Sequence, residues 1–379
     1  MERFDAIVVG AGPAGSTTAY RLASAGTSVL LLDRARFPRD KPCGGGLTVR
    51  ALKELPVPVD PVVEVEIDRF EFGFRSRPRF ERSSPEPLVA MTQRSRLDAY
   101  LAEQAAAAGA DFRDATRVTE IEPRSDRVEV TANGARVQAE LLVGADGVNG
   151  ISAKALGLGR LRELAVALEG NIAYDESLAR RYDRRALVEL GTVPGGYGWI
   201  FPKGDHANVG VGGWDRAGPG LRRSLASFCR AYGLDAGRVT GLRGFRLPLR
   251  AAGSPVARGR ALVVGDAAGL VDPLSGDGMY EAFVSSRLAA ETALELLGGG
   301  APDLSGYDVA LAARFDAEHA ASYRAKLAFD RFPALAYRVA RMRLAWRLFE
   351  QVVRGEQYGT QHGPTAVPAR ILKTLARAA

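Results

Sequence analysis

The chain has 379 residues, 46% apolar and 25% charged, with a formal net charge of +7, ordinary values for a globular protein of two joined domains with a large core. No apolar run approaches the ~18–20 residues of a membrane-spanning helix. Two distant cysteines, Cys43 and Cys229, with His206, His319 and His362, exclude a disulfide framework and give no metal-site spacing. The N-terminus runs into a strand with no charged leader and cleavage site, so a cytosolic, metal-free protein is expected, with no nucleic-acid partner. The charge is uneven: residues 311–379 hold 12 Lys/Arg against five Asp/Glu, and the other 310 residues balance.

In chain order, 4–9 is a short apolar strand ending in glycine, 14–25 is helical, and 28–32 is a second apolar strand ending at Asp33: a βαβ unit. Residues 34–60 read as a Pro- and Gly-rich loop. Residues 62–74 alternate like one strand, 83–87 read as a turn, and 97–108 as an Ala-rich helix. Residues 117–121, 128–131 and 137–140 form a small antiparallel meander with a type I′ turn at Asn133-Gly134, and 141–146 is a buried strand. From 160 to 250 the pattern is strand-rich (163–173, 186–190, 196–201, 207–213), interrupted by a short helix at 221–232. A buried strand at 261–264 and a long helix at 278–297 follow, and everything after Asp303 is helical.

Two motifs carry chemistry in this frame. Gly10-Ala11-Gly12-Pro13-Ala14-Gly15 sits between strand and helix, where Gly10 permits the tight turn, Gly12 lets backbone approach a pyrophosphate, and Gly15 allows close packing. Asp33, 18 residues after Gly15, can accept hydrogen bonds from a ribose diol. That motif alone does not separate NAD from FAD. Gly265-Asp266-Ala267-Ala268 after a strand and Gly276-Asp277-Gly278-Met279 before a long helix do: a carboxylate for ribityl hydroxyls and a glycine-flanked helix N-terminus for the isoalloxazine edge. The plainer reading of Asp266 is a turn cap.

With the strand ending in Gly144-Ala145-Asp146-Gly147, these motifs make the chain resemble the class A flavin monooxygenase-like superfamily over most of residues 4–300. Arg94-Ser95-Arg96-Leu97-Asp98 resembles that superfamily's segment whose arginine lies beside the flavin phosphates; otherwise Arg94 is a solvated helix start. Two stretches narrow the likeness to geranylgeranyl reductases: Phe37-Pro38-Arg39-Asp40-Lys41-Pro42-Cys43-Gly44-Gly45-Gly46-Leu47, similar to their flavin-contacting loop, and Tyr197-Gly198-Trp199-Ile200-Phe201-Pro202-Lys203, similar to their substrate-domain signature. The resemblance implies a Rossmann-type α/β FAD-binding domain in three layers (1–60, 85–158 and 250–300), an inserted mixed or antiparallel sheet domain for substrate (61–84 and 159–249) and a helical C-terminal segment (301–379). It implies FAD as cofactor, with contacts at Ala14, Asp33, Cys43, Gly44, Gly46, Arg94, Val118, Asp266, Gly278 and Met279. The substrate it implies is a prenyl chain of a lipid, quinone or chlorophyll precursor, with isolated double bonds to be reduced.

Alternation along residues 197–201 sends Tyr197, Trp199 and Phe201 out of one strand face, an uncharged aromatic wall suited to an apolar ligand or else part of a domain core. An unactivated alkene cannot accept hydride alone, so a proton must be delivered with it. Cys43, Tyr197 or a held water can supply it, Cys43 first, while Trp199 and its neighbours tolerate developing positive charge. His206 has no partner in sequence and reads as a surface histidine. The absence of a second dinucleotide motif leaves NAD(P)H bound transiently, or a small electron carrier, as reductant. In 333–354, Leu335, Val339, Met342, Trp346, Phe349 and Val353 fall within about 40° of one line on a helix, flanked by arginines. That stripe either docks on the substrate domain or makes peripheral membrane contact on the inner face, or does both as a lid. The rivals are an oxygen-using hydroxylase or halogenase of the same superfamily and a flavin electron-transfer protein without turnover.

Overall fold

The structure, a computed structural model, describes residues 1–76 and 79–356, so the helical segment expected at 301–379 is seen to Glu356, and His362 lies outside the described residues. In the first half of the chain the elements are β1 (Glu2–Val9), α1 (Pro13–Ser24), β2 (Val29–Leu32), β3 (Gly46–Thr48), α2 (Val49–Lys53), β4 (Val63–Ile67), β5 (Arg69–Phe74), β6 (Arg79–Ser83), β7 (Val89–Thr92), α3 (Arg94–Ala107), β8 (Asp111–Arg113), β9 (Val118–Pro123), β10 (Val128–Ala132), β11 (Ala135–Gly144) and α4 (Ser152–Leu156). The second half adds β12 (Leu161–Ala173), α5 (Glu176–Arg181), β13 (Arg185–Leu190), β14 (Gly196–Pro202), β15 (His206–Trp214), α6 (Leu221–Ala231), β16 (Thr240–Arg250), β17 (Ala257–Arg258), β18 (Ala261–Val263), α7 (Met279–Leu297), α8 (Gly306–Arg331), α9 (Pro333–Ala340) and α10 (Arg343–Arg354).

The first sheet runs β17-β18-β11-β1-β2-β8, parallel from β18 to β8, with the β9–β10 meander attached through β11. Its inner strands are apolar on both faces because helices cover the sheet: Ala6–Val9 and Val29–Leu32 are buried, and α1 packs against α3 and α7. Asn133 and Gly134 take the positive φ of the expected hairpin turn. The second sheet, β16-β12-β15-β14-β13-β5-β6, is antiparallel except where β13 runs parallel to β5, and has its own core under α6 that takes in Cys229. A three-stranded sheet, β3-β7-β4, joins them. The fold class is the expected one: a Rossmann-type α/β half, an inserted mixed sheet and a helical C-terminal region.

Several local expectations are corrected. Residues 62–74 are two strands in different sheets, because the Asp68 carboxylate binds Arg184 at 2.8 Å and pins a corner between them. The expected strands at 137–140 and 141–146 are one long strand, β11, which ends at Gly144; its first half pairs with β10 and its second with β18. The loop at 34–60 contains β3 and α2. β16 is not evident from the sequence, because Pro248 and the arginines Arg243, Arg246 and Arg250 break the two-residue period of a strand, and an edge position tolerates both. The stripe at 333–354 is not one helix face. The chain breaks between α9 and α10 at Met342, which takes an extended backbone, and so Trp346, Phe349 and Val353 turn inward onto Phe70 and Phe72 while Leu335 and Met342 stay exposed.

Candidate functional site

A cavity of about 1730 Å³ spans the junction of the two sheets. Pockets for one drug-sized ligand take ~300–1,000 Å³, so there is room here for a large ligand and a second beside it. Gly10, Gly12, Ala14, Asp33, Cys43, Gly44, Gly46, Arg94, Val118, Tyr197, Trp199, Phe201, Asp266, Gly276, Gly278 and Met279 all line it. Gly15 does not. A Cβ there would meet the Gly10 carbonyl at 1.8 Å, so Gly15 serves the close contact of α1 with the preceding turn.

At one end, β1 delivers its chain to α1 with no side-chain cap on the helix, leaving first-turn N–H groups for a ligand. Beside Gly12 stand two guanidiniums, Arg39 and Arg94, both held by Asp98: Arg94 donates to it at 2.6 and 2.8 Å, and Arg39 pairs with it at 2.8 Å. Arg39 also lies 3.7 Å from Asp33, so two carboxylates balance the two guanidiniums and hold them in place as donors for an anionic linkage. Arg94 is buried, which removes the solvated-helix-start reading. Asp33 accepts from the amides of Ala11 and Ala35 and keeps an edge on the cavity.

Further along, Asp266 and Gly278 converge. A Cβ on Gly278 would lie 3.3 Å from an Asp266 oxygen, and Lys41 pairs with the same carboxylate at 3.0 Å. α7 starts behind Gly278, and the Asp277 carboxylate accepts the Met279 amide at 2.8 Å. Asp146, by contrast, turns away to accept from Ile151 and Ser152, and so fastens its own turn.

The Cys43–Gly46 loop crosses between this region and the second sheet. Gly44 lies against the Phe201 ring, where a Cβ would come within 2.9 Å, and Gly45 needs φ +73°. Two charged side chains that sequence reasoning passed over secure the loop. Glu169 on β12 accepts the Cys43 amide, and Lys203, at the end of the aromatic motif, donates to the carbonyls of Gly44 and Thr92. Burial pushes the Glu169 carboxyl up to about 7, against the opposing Cys43 amide, and pulls the Lys203 ammonium down to about 8. The signal for Glu169 was a carboxylate in phase with Ala165 and Ala167 on a cavity-facing strand face. For Lys203 it was the last residue of the motif.

Tyr197, Trp199 and Phe201 stack along β14 at centroid separations of 5.8 and 6.1 Å. The wall itself carries no charge, but Glu169 shares the cavity lining with it. Its polar tips are tied: Trp199 donates to Asn208 at 2.8 Å, and the Tyr197 hydroxyl donates to the Ser275 carbonyl. Burial raises the Tyr197 phenol above the ordinary tyrosine range, which makes it a poorer acid. Beyond the wall the floor continues over Ala186, Val188 and Leu190 to Phe70 and Phe72, with α8 and α10 closing it from above through Phe329 and Phe349. His206 pairs with its neighbour Asp205 and does not line the cavity.

The FAD binding domain family matches residues 3–198. The chain is 34% identical over 316 residues to digeranylgeranylglycerophospholipid reductase 1 of Methanopyrus kandleri, covering 78% of this chain and 81% of that protein. It is 34% identical over 329 residues to the menaquinone reductase of Mycolicibacterium smegmatis, covering 80% and 78%. The solved structure of a geranylgeranyl bacteriochlorophyll reductase-like protein from Thermoplasma acidophilum superposes with a TM-score of 0.79 at 23% identity, covering 100% of this chain and 98% of that one, a likeness of fold.

Proposed function

Because this chain belongs to the geranylgeranyl reductase family of FAD-dependent oxidoreductases, we propose that it saturates isolated C=C bonds in the prenyl chain of a lipid, quinone or chlorophyll precursor. The observation that carries this is the apolar floor of the second sheet, continuous with the FAD end of one cavity through Tyr197, Trp199 and Phe201. Residues 1–60, 85–158 and 250–300 serve the cofactor in this reading, and 61–84 with 159–249 serve the substrate. The residues present fit FAD. Asp33 suits the adenosine ribose; the α1 terminus with Gly12, Arg39 and Arg94 suits the pyrophosphate; Asp266 and 276–279 suit the ribityl chain and ring.

Bound FAD supplies the hydride. The protein's own residues orient the chain, exclude water and handle the proton. The Cys43 thiol stands at the loop between the two ends, with its amide held by Glu169, and carries the proton or orders the water that does. Trp199 and Phe201 present ring faces where positive charge develops at carbon as that proton arrives. Hydride and proton together add two hydrogens across each double bond. NAD(P)H or a small electron carrier restores the reduced cofactor.

The test is anaerobic turnover of reduced holoenzyme with a geranylgeranyl lipid and with menaquinone, product read by mass spectrometry and Cys43→Ser run in parallel. The expected product gains two hydrogens per bond without oxygen, and Cys43→Ser keeps its flavin but slows by at least ~100-fold, a general-acid contribution. Turnover that requires oxygen would replace this reading with the hydroxylase or halogenase one. Full turnover by Cys43→Ser would leave the water as proton source.

A further inference from the structure

The helices that close the cavity have a second face. Eight large apolar side chains are exposed among the described residues, and five of them, Leu327, Phe332, Leu335, Met342 and Leu344, fall within one short stretch at the end of α8, through α9 and into α10. Scattered singly, such residues need no explanation; concentrated across consecutive helix junctions, they do. Interleaved with them are Arg331, Arg338, Arg341, Arg343 and Arg347, all exposed, and no Asp or Glu occurs from 331 to 349. None of the five arginines forms an ion pair among the described residues; of the two acids that bracket the stretch, Asp330 is taken by Lys326 and Trp214, and Glu350, one turn from Arg347, forms no ion pair among the described residues.

The opposite side of the same helices is spoken for. Tyr337 stacks on Phe74 and Phe80, Trp346 and Phe349 pack on Phe70 and Phe72, and Phe329 and Phe349 line the cavity. The outer face is therefore not a mispacked core stripe, because the core contact of these helices is satisfied without it.

We infer that this outer face docks on an anionic lipid bilayer, with Leu327, Phe332, Leu335, Met342 and Leu344 entering the headgroup boundary and the five arginines pairing with lipid phosphates. The charge selects this occupant: unpaired arginines around apolar tips complement a negatively charged interface, where long basic side chains keep their heads at the phosphate level. Docking would place the cavity roof, α8 and α10, against the phase that holds a prenyl-chain substrate. That purpose rests on the function proposed above; the surface itself does not. Among the described residues no helix is long and apolar enough to cross a membrane.

The test is co-sedimentation of the full-length, flavin-loaded protein with vesicles of phosphatidylcholine alone or mixed with phosphatidylglycerol, and it needs no turnover. Binding is expected to the anionic vesicles only and to weaken with salt. Arg338→Gln with Arg343→Gln is expected to bind about thirtyfold more weakly, at about 1 kcal/mol per basic side chain, with flavin content and turnover of detergent-dispersed substrate unchanged. Leu335→Ser with Leu344→Ser should weaken binding without changing its salt dependence. Wild-type protein that sediments with neither vesicle, or variants that bind as wild type, would overturn the inference. So would self-association in sedimentation velocity that the same substitutions abolish, which would make the face an interface between copies. If vesicle binding holds while prenyl reduction fails, the docking surface stands and the substrate reading falls.

Discussion

Glu169 is a carboxylate placed where its charge is costly. It is 7% exposed, and burial moves its titration from the ordinary 4.5 to about 7. Below about pH 4.5 it is protonated in both folded and unfolded chains. Between 4.5 and 7 the unfolded chain releases the proton first, so rising pH favours unfolding, and above 7 the loss is complete at on the order of 3 kcal/mol. Glu169→Gln removes that titration while keeping an acceptor for the Cys43 amide. The variant should gain stability relative to wild type across pH 4.5–7 and not beyond, measured by denaturant unfolding of both proteins at several pH values. Parallel profiles would mean the carboxyl is better solvated than its burial implies. The hydroxyl of Tyr197, which sequence reasoning offered as an acid, donates to the Ser275 carbonyl and ties the aromatic strand to the turn before Gly276.

At the scale of elements, the β14–β15 pairing decides where the indole of Trp199 lies. Gly210 stands opposite Trp199, and a Cβ there would sit 2.1 Å from the indole ring. The ring occupies the room a side chain would need, and its N–H reaches Asn208 on the same partner strand. Gly210→Ala should therefore displace the ring at a cost of ~1–3 kcal/mol for overpacking. Flavin content should be retained while turnover falls at least tenfold, read by absorbance and steady-state kinetics on one preparation. Unchanged turnover would show that the ring's position is not needed. The C-terminal helices teach a related point. Helical periodicity put Leu335 and Met342 in line with Trp346 and Phe349, and an extended residue at Met342 separated them. Spacing along a chain predicts one face only while the helix continues.

At the scale of the whole molecule, the end of the cavity proposed to hold FAD is assembled from β1, the loop after Asp33, α3, the turn after β18 and the start of α7, segments some 270 residues apart. A ligand that bridges them binds the folded state alone, so it stabilises the fold by mass action, about 2.7 kcal/mol at a hundred times its dissociation constant. Removing FAD should lower the unfolding temperature, and titrating it back should raise that temperature with the logarithm of its concentration, by differential scanning fluorimetry. A midpoint indifferent to added FAD would mean the two halves cohere without it.

The sequence by itself determined the family, the cofactor and the βαβ frame, because each rests on local chemistry. Glycines at a strand–helix turn and an acid at the next strand end form a pattern complete within a few residues, and an aromatic at every second position marks one strand face. Its strand and helix positions also held where hydrophobic periodicity ran uninterrupted. Only the tertiary structure decided what depends on distant partners: the sharing of Asp98 by Arg39 and Arg94, the grip of Glu169 and Lys203 on the Cys43 loop, and the split of the C-terminal stripe into inner and outer faces. A side chain's burial, and hence its charge state and its use, is set by what packs across from it, and that neighbour is written elsewhere in the chain.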